Sequence, residues 1–147
     1  MNARDIMTAY KVWACSETSD ARQVGRLMAE HDVGAIPVLD PDGRLEGIVT
    51  DRDLCCKVIA TGRDLDVRVR KIMSKPVHAV HPDDSLERIE SIMREHKIRR
   101  VPVVDSDNRL QGFISMADLA CHCSSPEEEH ELVGVLETVS RPGRMLA

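Results

Sequence analysis

Two segments of the sequence place a hydroxyl three residues before a carboxylate, Thr50 with Asp53 and Ser115 with Asp118. At the start of a helix this spacing forms a capping box, in which each side chain accepts a hydrogen bond from a backbone amide. Such a carboxylate can also accept hydrogen bonds from both hydroxyls of a ribose, while the hydroxyl and the free helix amides donate to a phosphate. Because aspartate is a poorer reciprocal cap than glutamate, its presence in both segments favours a ribose-binding role beside the capping role.

Five cysteines offer a second kind of chemistry: Cys15, Cys55, Cys56, Cys121 and Cys123. An odd count with an adjacent pair is unlike a secreted disulfide framework, so we expect mainly reduced thiols in a cytosolic core. Cysteines and histidines near both pairs could gather to bind zinc, but no two separated CxxC motifs are present. Cys56 and Cys121 occupy matched helix positions, which favours core or interface packing. We therefore predict no metal ligands.

Signatures of catalysis are missing from the sequence. It contains no glycine-rich phosphate loop, no nucleophile elbow and no HExxH motif. His31 and His96 fall at predicted helix ends, where a cation interacts favourably with the helix dipole. We therefore predict no catalytic residues, and a protein that is not an enzyme.

The composition is that of an ordinary globular protein. The 147 residues are 42% hydrophobic and 31% charged, enough for one compact domain or for two small units that share a core. The net charge of −5, with acids and bases interleaved, offers no basic face for nucleic acid. Apolar runs are too short to cross a membrane, and residues 1–7 do not resemble a signal peptide. We expect a cytoplasmic protein that binds neither nucleic acid nor membranes.

The sequence repeats itself at an offset of 65 residues. One extra residue near positions 8–11 shifts the start, so that Ile6-Met7 matches Ile72-Met73 at an offset of 66. So many ordered matches with a single gap indicate a duplicated unit. Matched pairs include Met28 with Met93, Pro37 with Pro102, Gly47 with Gly112, Asp53 with Asp118 and Cys56 with Cys121.

Each copy predicts the same order of elements, β-α-β-β-α. Capping residues announce the first helix of each copy, apolar residues at steps of three and four give it one buried face, and turn-forming residues join the two strands that follow. The predicted strands are 10–14, 35–39 and 45–50 in the first copy and 77–80, 100–104 and 110–115 in the second. The first helix of each copy is expected to start near Ser19 and Asp20, or Asp84 and Ser85, and the last one at Asp51 or Met116. The predicted helix faces are Ala21, Val24, Leu27 and Met28, and Leu86, Ile89, Ile92 and Met93.

A closing helix is predicted after Ser125 and Pro126, which supply an N-cap and a proline at the first helical position. Alone, each copy would bury too little apolar surface. We therefore expect an α/β protein of the α+β kind, with two β-α-β-β-α units packed about a pseudo-twofold axis and a C-terminal helix. The expected boundaries are 1–61 for the first unit, 62–66 for a linker, 67–123 for the second unit and 124–147 for the C-terminal helix and tail. The residues expected to dock the closing helix are Leu132, Val133, Leu136 and Val139.

The duplicated pattern resembles the cystathionine β-synthase (CBS) domain, which occurs in tandem pairs called Bateman modules. The resemblance is carried by VGAIPV at 33–38 with GIVTDRDL at 47–54, and by IRRVPV at 98–103 with GFISMADL at 112–119. It spans residues 4–123 and is strongest to bacterial proteins made of two such domains and little else, including the hypoxic-response type.

This resemblance implies a regulatory module that binds adenosine-containing ligands in clefts between the two units. The implied ligands are AMP, ADP or ATP, with NAD or S-adenosylmethionine as further members of the class, and no obligatory cofactor. It also implies a homodimer in the form of a flat four-domain disk, which signals to a separate effector protein. Two alternatives stay open from the residues alone: a ligand-free interaction scaffold, and a thiol or metal redox sensor.

By the same resemblance, a first site combines Thr50 and Asp53 with segments of the second copy. Arg99 and Arg100 would turn toward the phosphates, because a guanidinium contacts phosphate oxygens in pairs and keeps its charge, although a solvated edge would also carry two arginines. Backbone groups of 77–79 would recognise the adenine. The remaining predicted contacts are Pro76, Val77, His78, Ala79 and Ile98.

A second, weaker site would form around Ser115 and Asp118. Gly34 and Ala35 stand where the second copy has its two arginines, so this site should take a less anionic ligand or stay empty. We expect Trp13 to lie in the core rather than against the ligand. The other predicted contacts are Lys11, Val12 and Val33, together with the main chain at Gly34 and Ala35.

Overall fold

The computed structural model describes residues 1–9, 13–75 and 77–141, which form two compact units. The first-copy unit comprises Lys11–Val77 and Ser106–Leu110, and the second-copy unit comprises Met1–Tyr10, His78–Asp105 and Gln111–Ala147. The leading segment of the chain thus belongs to the second-copy unit. The domain boundaries given above stay a prediction.

The fold is of the α+β kind with a C-terminal helix, and the order of helices and strands is that predicted, except that the predicted leading strand of the second copy is only an isolated bridge. The helices are α1 (Ala3–Ile6), α2 (Ala21–His31), α3 (Asp51–Leu54), α4 (Leu86–His96), α5 (Met116–His122) and α6 (Pro126–Ser140). The strands are β1 (Cys15–Ser16), β2 (Ala35–Leu39), β3 (Leu45–Thr50), β4 (Arg100–Val104) and β5 (Leu110–Ser115). A π-helical turn (Cys55–Ile59) continues α3, and a 3-10 turn (Val69–Lys71) stands at the start of the second copy, where the first copy has α1.

The leading strand of each copy is shorter than predicted. In the first-copy unit, β1 pairs in parallel with β2 through Cys15 opposite Val38, and β2 pairs with β3 in antiparallel fashion. The second-copy unit has, at the equivalent place, a single parallel bridge between Val80 and Val103. Of the predicted strand 10–14, only residues 13 and 14 are among those described, and the observed strand starts after them.

Helix starts and helix faces follow local sequence signals. Asp20 caps α2 by accepting a hydrogen bond from the Gln23 amide at 2.8 Å, and Ser85 caps α4 by accepting from the Arg88 amide at 3.3 Å. The predicted faces are buried in the two cores, with Leu27 and Leu86 partly buried at their margins. Periodicity therefore predicted which side of each helix meets the core.

The docking face of α6 was only half predicted. Leu132 and Val139 pack against the second-copy core, but Val133 and Leu136 are exposed, at 53% and 47%, and Val135 is fully buried in their place. Residues 132, 135 and 139 lie on one helical stripe, about one residue away from the predicted stripe. Because α6 is rich in aliphatic residues on several sides, its sequence does not fix its rotation.

A glycine in each of β3 and β5 packs so closely against an Ile-Met segment that no side chain would fit at the glycine position. A Cβ at Gly47 would lie 2.7 Å from the Met73 sulfur, and a Cβ at Gly112 would lie 2.8 Å from the Met7 sulfur and 2.9 Å from the Thr8 carbonyl oxygen. Beside these glycines, backbone hydrogen bonds join Ile48 to Ser74 and Phe113 to Thr8. Each glycine strand is thus covered by an Ile-Met segment in its own compact unit.

We predict that Gly112→Ala destabilises the protein more than Gly47→Ala. The obstacle at Gly47 is a flexible methionine side chain, whereas the obstacle at Gly112 includes the backbone oxygen of Thr8, which accepts a hydrogen bond from the Phe113 amide while the Thr8 amide donates to the Phe113 carbonyl. Overpacking costs about 1–3 kcal/mol, so we expect values near the lower and upper ends of that range. Urea unfolding measures both, and equal losses would contradict the role of the Thr8 backbone.

Glu90 is a buried carboxyl on α4, 8% exposed, beside the docked helix α6. Burial raises its pKa, and the carboxylate of Glu131 on α6 raises it further. A carboxyl whose pKa is higher in the folded than in the unfolded protein is destabilising once ionised. The folded state therefore loses stability as pH rises from the unfolded value of about 4.3 through the raised pKa.

We predict that Glu90→Gln raises the melting temperature at pH 7, by about 2–4 °C, and weakens the pH dependence in this window. Glu87→Gln is the matched control on the same helix, because a hydrogen bond from the Ser85 side chain lowers the pKa of Glu87. That variant should lower the melting temperature slightly or leave it unchanged. Differential scanning calorimetry from pH 4 to pH 7 measures both, and an unchanged Glu90→Gln curve would contradict the argument.

Among the described residues, no helix combines the length and the apolar character needed to span a membrane.

Candidate functional site

Asp53 lies at the junction of β3 and α3, where the residue is buried and donors surround its carboxylate. Its Oδ2 accepts hydrogen bonds from the Thr50 amide at 2.9 Å and the Thr50 hydroxyl at 3.1 Å, and the Thr50 hydroxyl in turn accepts from the Asp53 amide. The predicted capping box is therefore complete at this helix start. These capping hydrogen bonds hold the Asp53 carboxylate in place. Binding of a ribose by this carboxylate stays a prediction.

Two donors that the sequence reading missed complete the surroundings of Asp53. The Ser74 hydroxyl donates to Oδ1 at 3.2 Å, and the Lys57 ammonium lies 2.9 Å from the same oxygen. Lys57 also donates to the Ile72 carbonyl at 3.1 Å and contacts the Ser74 hydroxyl at 3.3 Å. The i, i+4 spacing of Asp53 and Lys57 was a signal available in the sequence, whereas the approach of Ser74 depends on the Ile-Met contact.

Asp118 occupies the equivalent place in the second-copy unit but has different neighbours. Its Oδ2 accepts from the Ser115 amide and hydroxyl, both at 2.7 Å, in the same capping box. His122 stands where the first copy has Lys57, and its Nδ1 donates to the Asp118 backbone carbonyl at 2.7 Å rather than to the carboxylate. Across residues 1–9, 13–75 and 77–141, the Asp118 carboxylate forms no ion pair. Asp53 and Asp118 thus accept equivalent hydrogen bonds at the start of a helix, but among the described residues only Asp53 has an ion-pair partner.

The segment before the second strand of each copy touches the start of the helix in its own unit. The Gly34 carbonyl accepts from the Asp51 amide, and the Arg99 carbonyl accepts from the Met116 amide, both at 3.0 Å. Within each unit, the segment thus lies beside the hydroxyl-carboxylate pair of the other predicted site: Gly34, predicted for the second site, lies near Thr50 and Asp53, and Arg99, predicted for the first site, lies near Ser115 and Asp118. Val33, Gly34 and Ala35 are half-buried there.

The predicted phosphate contacts Arg99 and Arg100 are exposed. The Arg99 guanidinium donates to the Ser140 hydroxyl at the end of α6 at 3.2 Å. These arginines and Asp53 belong to different compact units, so the predicted first site stays a prediction. Of its other residues, Val77, His78, Ala79 and Ile98 are half-buried, while Pro76, like Lys11 and Val12 of the second site, lies outside the described residues.

Stacked rings hold equivalent segments of the two copies. Trp13 stacks on His31 with ring centroids 3.4 Å apart, and His78 stacks on His96 at 3.4 Å, both nearly parallel. Both stacks join the leading segment of a copy to the last residue of its long helix. The prediction of a core Trp13 was wrong, because this side chain is 39% exposed. Its apolar surface is covered by the His31 ring instead of by the core.

A shallow open groove of about 380 Å³ lies along α2 in the first-copy unit. Gln23, Arg26 and Glu30 line it together with Ala14 and Cys15. None of the predicted ligand contacts lines this groove, so it does not coincide with the candidate site.

The cysteines are free thiols, but the prediction that they lie in the core was wrong for most of them. Cys55, Cys56 and Cys121 are exposed, and Cys15 and Cys123 are half-buried. Burial raises the pKa of the Cys15 thiol to about 11, which makes it a poor nucleophile and metal ligand at neutral pH. The described residues contain no group of three or more histidine, cysteine, aspartate or glutamate side chains that could hold a metal ion.

Comparison with known proteins connects this arrangement to one family. The profile of the CBS domain matches residues 3–59 and 69–124. The CBS domain-containing protein YhcV of Bacillus subtilis is 38% identical over 126 residues, which cover 86% of this chain and 88% of that protein. Hypoxic response protein 1 of Mycobacterium tuberculosis is 35% identical over 141 residues, covering 95% of this chain and 94% of that protein.

Solved structures agree. The crystal structure of hypoxic response protein I with two coordinated zinc ions matches with a TM-score of 0.77 and 34% identity, covering 84% of this chain and all of that one. The CBS domain protein PAE2072 from Pyrobaculum aerophilum complexed with AMP matches with a TM-score of 0.75 and 26% identity, covering 91% of this chain and 99% of that one. With the repeat, the two capping boxes and both profile matches in agreement, this chain belongs to the CBS domain family and carries two copies of that domain.

Proposed function

We propose that this protein is a regulatory module, without catalytic activity, that binds adenosine nucleotides between its two CBS domains. The observation that carries the proposal is the pair of carboxylates, Asp53 and Asp118, each fixed by a capping box at an equivalent helix start. A preorganised carboxylate that already accepts from hydroxyl groups suits the two adjacent hydroxyls of a ribose, which can take the place of those donors. The structure of PAE2072 with AMP supports a ligand of the adenosine class.

In this proposal a first site uses Thr50 and Asp53 for the ribose, and a second site uses Ser115 and Asp118. Arg99 and Arg100 contact the phosphates at the first site, where their exposed guanidinium groups are available to an anion. Gly34 and Ala35 hold the equivalent positions at the second site and leave it less suited to a phosphate. The further first-site contacts are Val77, His78, Ala79 and Ile98 with Pro76, and the further second-site contacts are Lys11, Val12 and Val33.

The way in which ligand binding would be signalled follows from thermodynamic linkage between binding and domain arrangement. A ligand that touches both domains shifts their arrangement only as far as it binds one arrangement better than another. The proposed working form is a cytoplasmic homodimer that passes this shift to a separate effector protein. AMP, ADP and ATP are the proposed ligands, with NAD and S-adenosylmethionine in the same chemical class.

Zinc, as in hypoxic response protein I, does not fit the residues described in this chain. A zinc site takes three or four nitrogen, sulfur or carboxylate ligands, and the described residues offer no such group. The exposed cysteines Cys55 and Cys56 and the half-buried Cys123 do not gather into one. The site geometry therefore favours the adenosine ligand over a metal sensor built from these residues.

Calorimetric titration with AMP tests the proposal against a ligand-free scaffold. We expect binding to the wild-type protein, and a loss of about a hundredfold in affinity in Asp53→Ala, because two hydrogen bonds to a charged acceptor disappear. Asp118→Ala is the matched control, since it removes an equivalent capping carboxylate from the weaker site and should leave AMP affinity nearly unchanged.

Melting curves of both variants show whether a loss of binding comes from a loss of folding. Each variant removes a carboxylate from a capping box, and a helix cap contributes about 1 kcal/mol to stability. Equal losses of AMP affinity in the two variants would contradict the asymmetry of the sites. No heat of binding with AMP, ADP, ATP, NAD or S-adenosylmethionine would favour the scaffold and end the proposal.

A further inference from the structure

Asp53 and Asp118, the two carboxylates proposed to bind ribose, differ in whether a cationic side chain lies beside them. Lys57 lies 2.9 Å from an oxygen of Asp53, so the pair is close to neutral, whereas Asp118 has no such partner in the described part of the chain. The difference is fixed by sequence, because position 57 is lysine and the equivalent position 122 is histidine. A side chain at this position is four residues beyond the carboxylate and lies on the same helical face.

Lys57 is well placed to keep that charge at the carboxylate. Its ammonium also donates to the Ile72 carbonyl at 3.1 Å and contacts the Ser74 hydroxyl at 3.3 Å, so three groups hold it. Its side chain is 41% exposed, and the carboxylate of Asp53 is only 10% exposed. The ammonium is therefore the more accessible charge of the pair.

A ligand whose ribose binds Asp53 would meet a different electrostatic field from one whose ribose binds Asp118. At Asp118, whose carboxylate has no ion-pair partner among residues 1–9, 13–75 and 77–141, the negative charge attracts hydroxyl hydrogens but repels a nearby phosphate. At Asp53 the ribose hydroxyls can replace the hydroxyl donors Thr50 and Ser74, while Lys57 stays and offsets the carboxylate charge. A phosphate brought close to this pair meets no net repulsion from it.

From this difference we propose that Lys57 determines the charge class of ligand at the first site. With Lys57, the Asp53 site accepts anionic adenosine phosphates, and with His122 in the equivalent position, the Asp118 site accepts them less well. This inference rests on the proposed function, and it is argued from the contacts that each carboxylate makes inside its own compact unit, without using Arg99 or Arg100.

The test compares AMP with adenosine, which differ only in the phosphate. In an Asp118→Ala background, which leaves the first site alone, Lys57→Met should weaken AMP binding about tenfold, with adenosine affinity held within about twofold. Lys57→Arg is the matched control and should keep the preference for AMP, since the charge remains. The Lys57→Met effect on AMP should shrink as ionic strength rises from about 0.05 M to about 0.5 M.

A gain of function gives the converse test and avoids the loss of folding that Lys57→Met could cause. In an Asp53→Ala background, His122→Lys supplies the missing cation four residues after Asp118 and should strengthen AMP binding about tenfold, with adenosine little changed. Isothermal titration calorimetry measures all of these affinities.

The results distinguish a failure of the inference about Lys57 from a failure of the proposed function. If Lys57→Met weakens AMP and adenosine equally, Lys57 only supports the fold through Ile72 and Ser74, and the inference is wrong. Unchanged AMP affinity in Lys57→Met, or in His122→Lys, would overturn it too, while the proposed function would survive. If the Asp118→Ala protein with Lys57 intact binds neither compound, the proposed function itself fails and the inference falls with it.

Discussion

The structure depends on the close approach of an Ile-Met segment to a glycine in a neighbouring strand. At Gly47 and Gly112 a side chain has no room, because Met73 and Met7 occupy the space that a Cβ would need. The covering segment brings buried side chains into each core, Ile72 in one unit and Ile6 in the other. In the first-copy unit the same segment carries Ser74 to the Asp53 carboxylate. Core packing and the environment of the candidate ligand carboxylate therefore rest on one contact.

Features that depend on local sequence were predictable. Capping boxes need only residues three apart, and those at Thr50 and Ser115 formed as expected. Apolar spacing predicted the buried faces of α2 and α4, because the helical repeat alone relates those positions. The resemblance to the CBS domain rests on such local patterns in a fixed order, and the family profile confirms it over both copies.

Features that depend on contacts distant in the sequence were not predictable. The rotation of α6 is set by what it packs against, so Val135 is buried where Val133 was expected. Trp13 packs against the ring of His31, eighteen positions away, and not in the core, and the sequence pattern does not indicate that pairing. The ion pair of Asp53 with Lys57 is an intermediate case: its i, i+4 spacing is local, but the Ile72 carbonyl and Ser74 hydroxyl that hold the lysine are not.

The two copies keep the same backbone bonds and differ in the side chains beside the carboxylates. The Gly34 and Arg99 carbonyls accept equivalent amide hydrogen bonds, and Cys15–Val38 and Val80–Val103 are equivalent bridges. Backbone geometry fixes where a ribose carboxylate stands, because an N-cap holds it within about one hydrogen-bond length of its helix start. Side chains one turn further along set the charge around it without altering that position. If the proposed function holds, a duplicated fold can place two ribose-binding carboxylates in one backbone setting and still give them different charge surroundings, because the residue four positions after the carboxylate is lysine in one copy and histidine in the other.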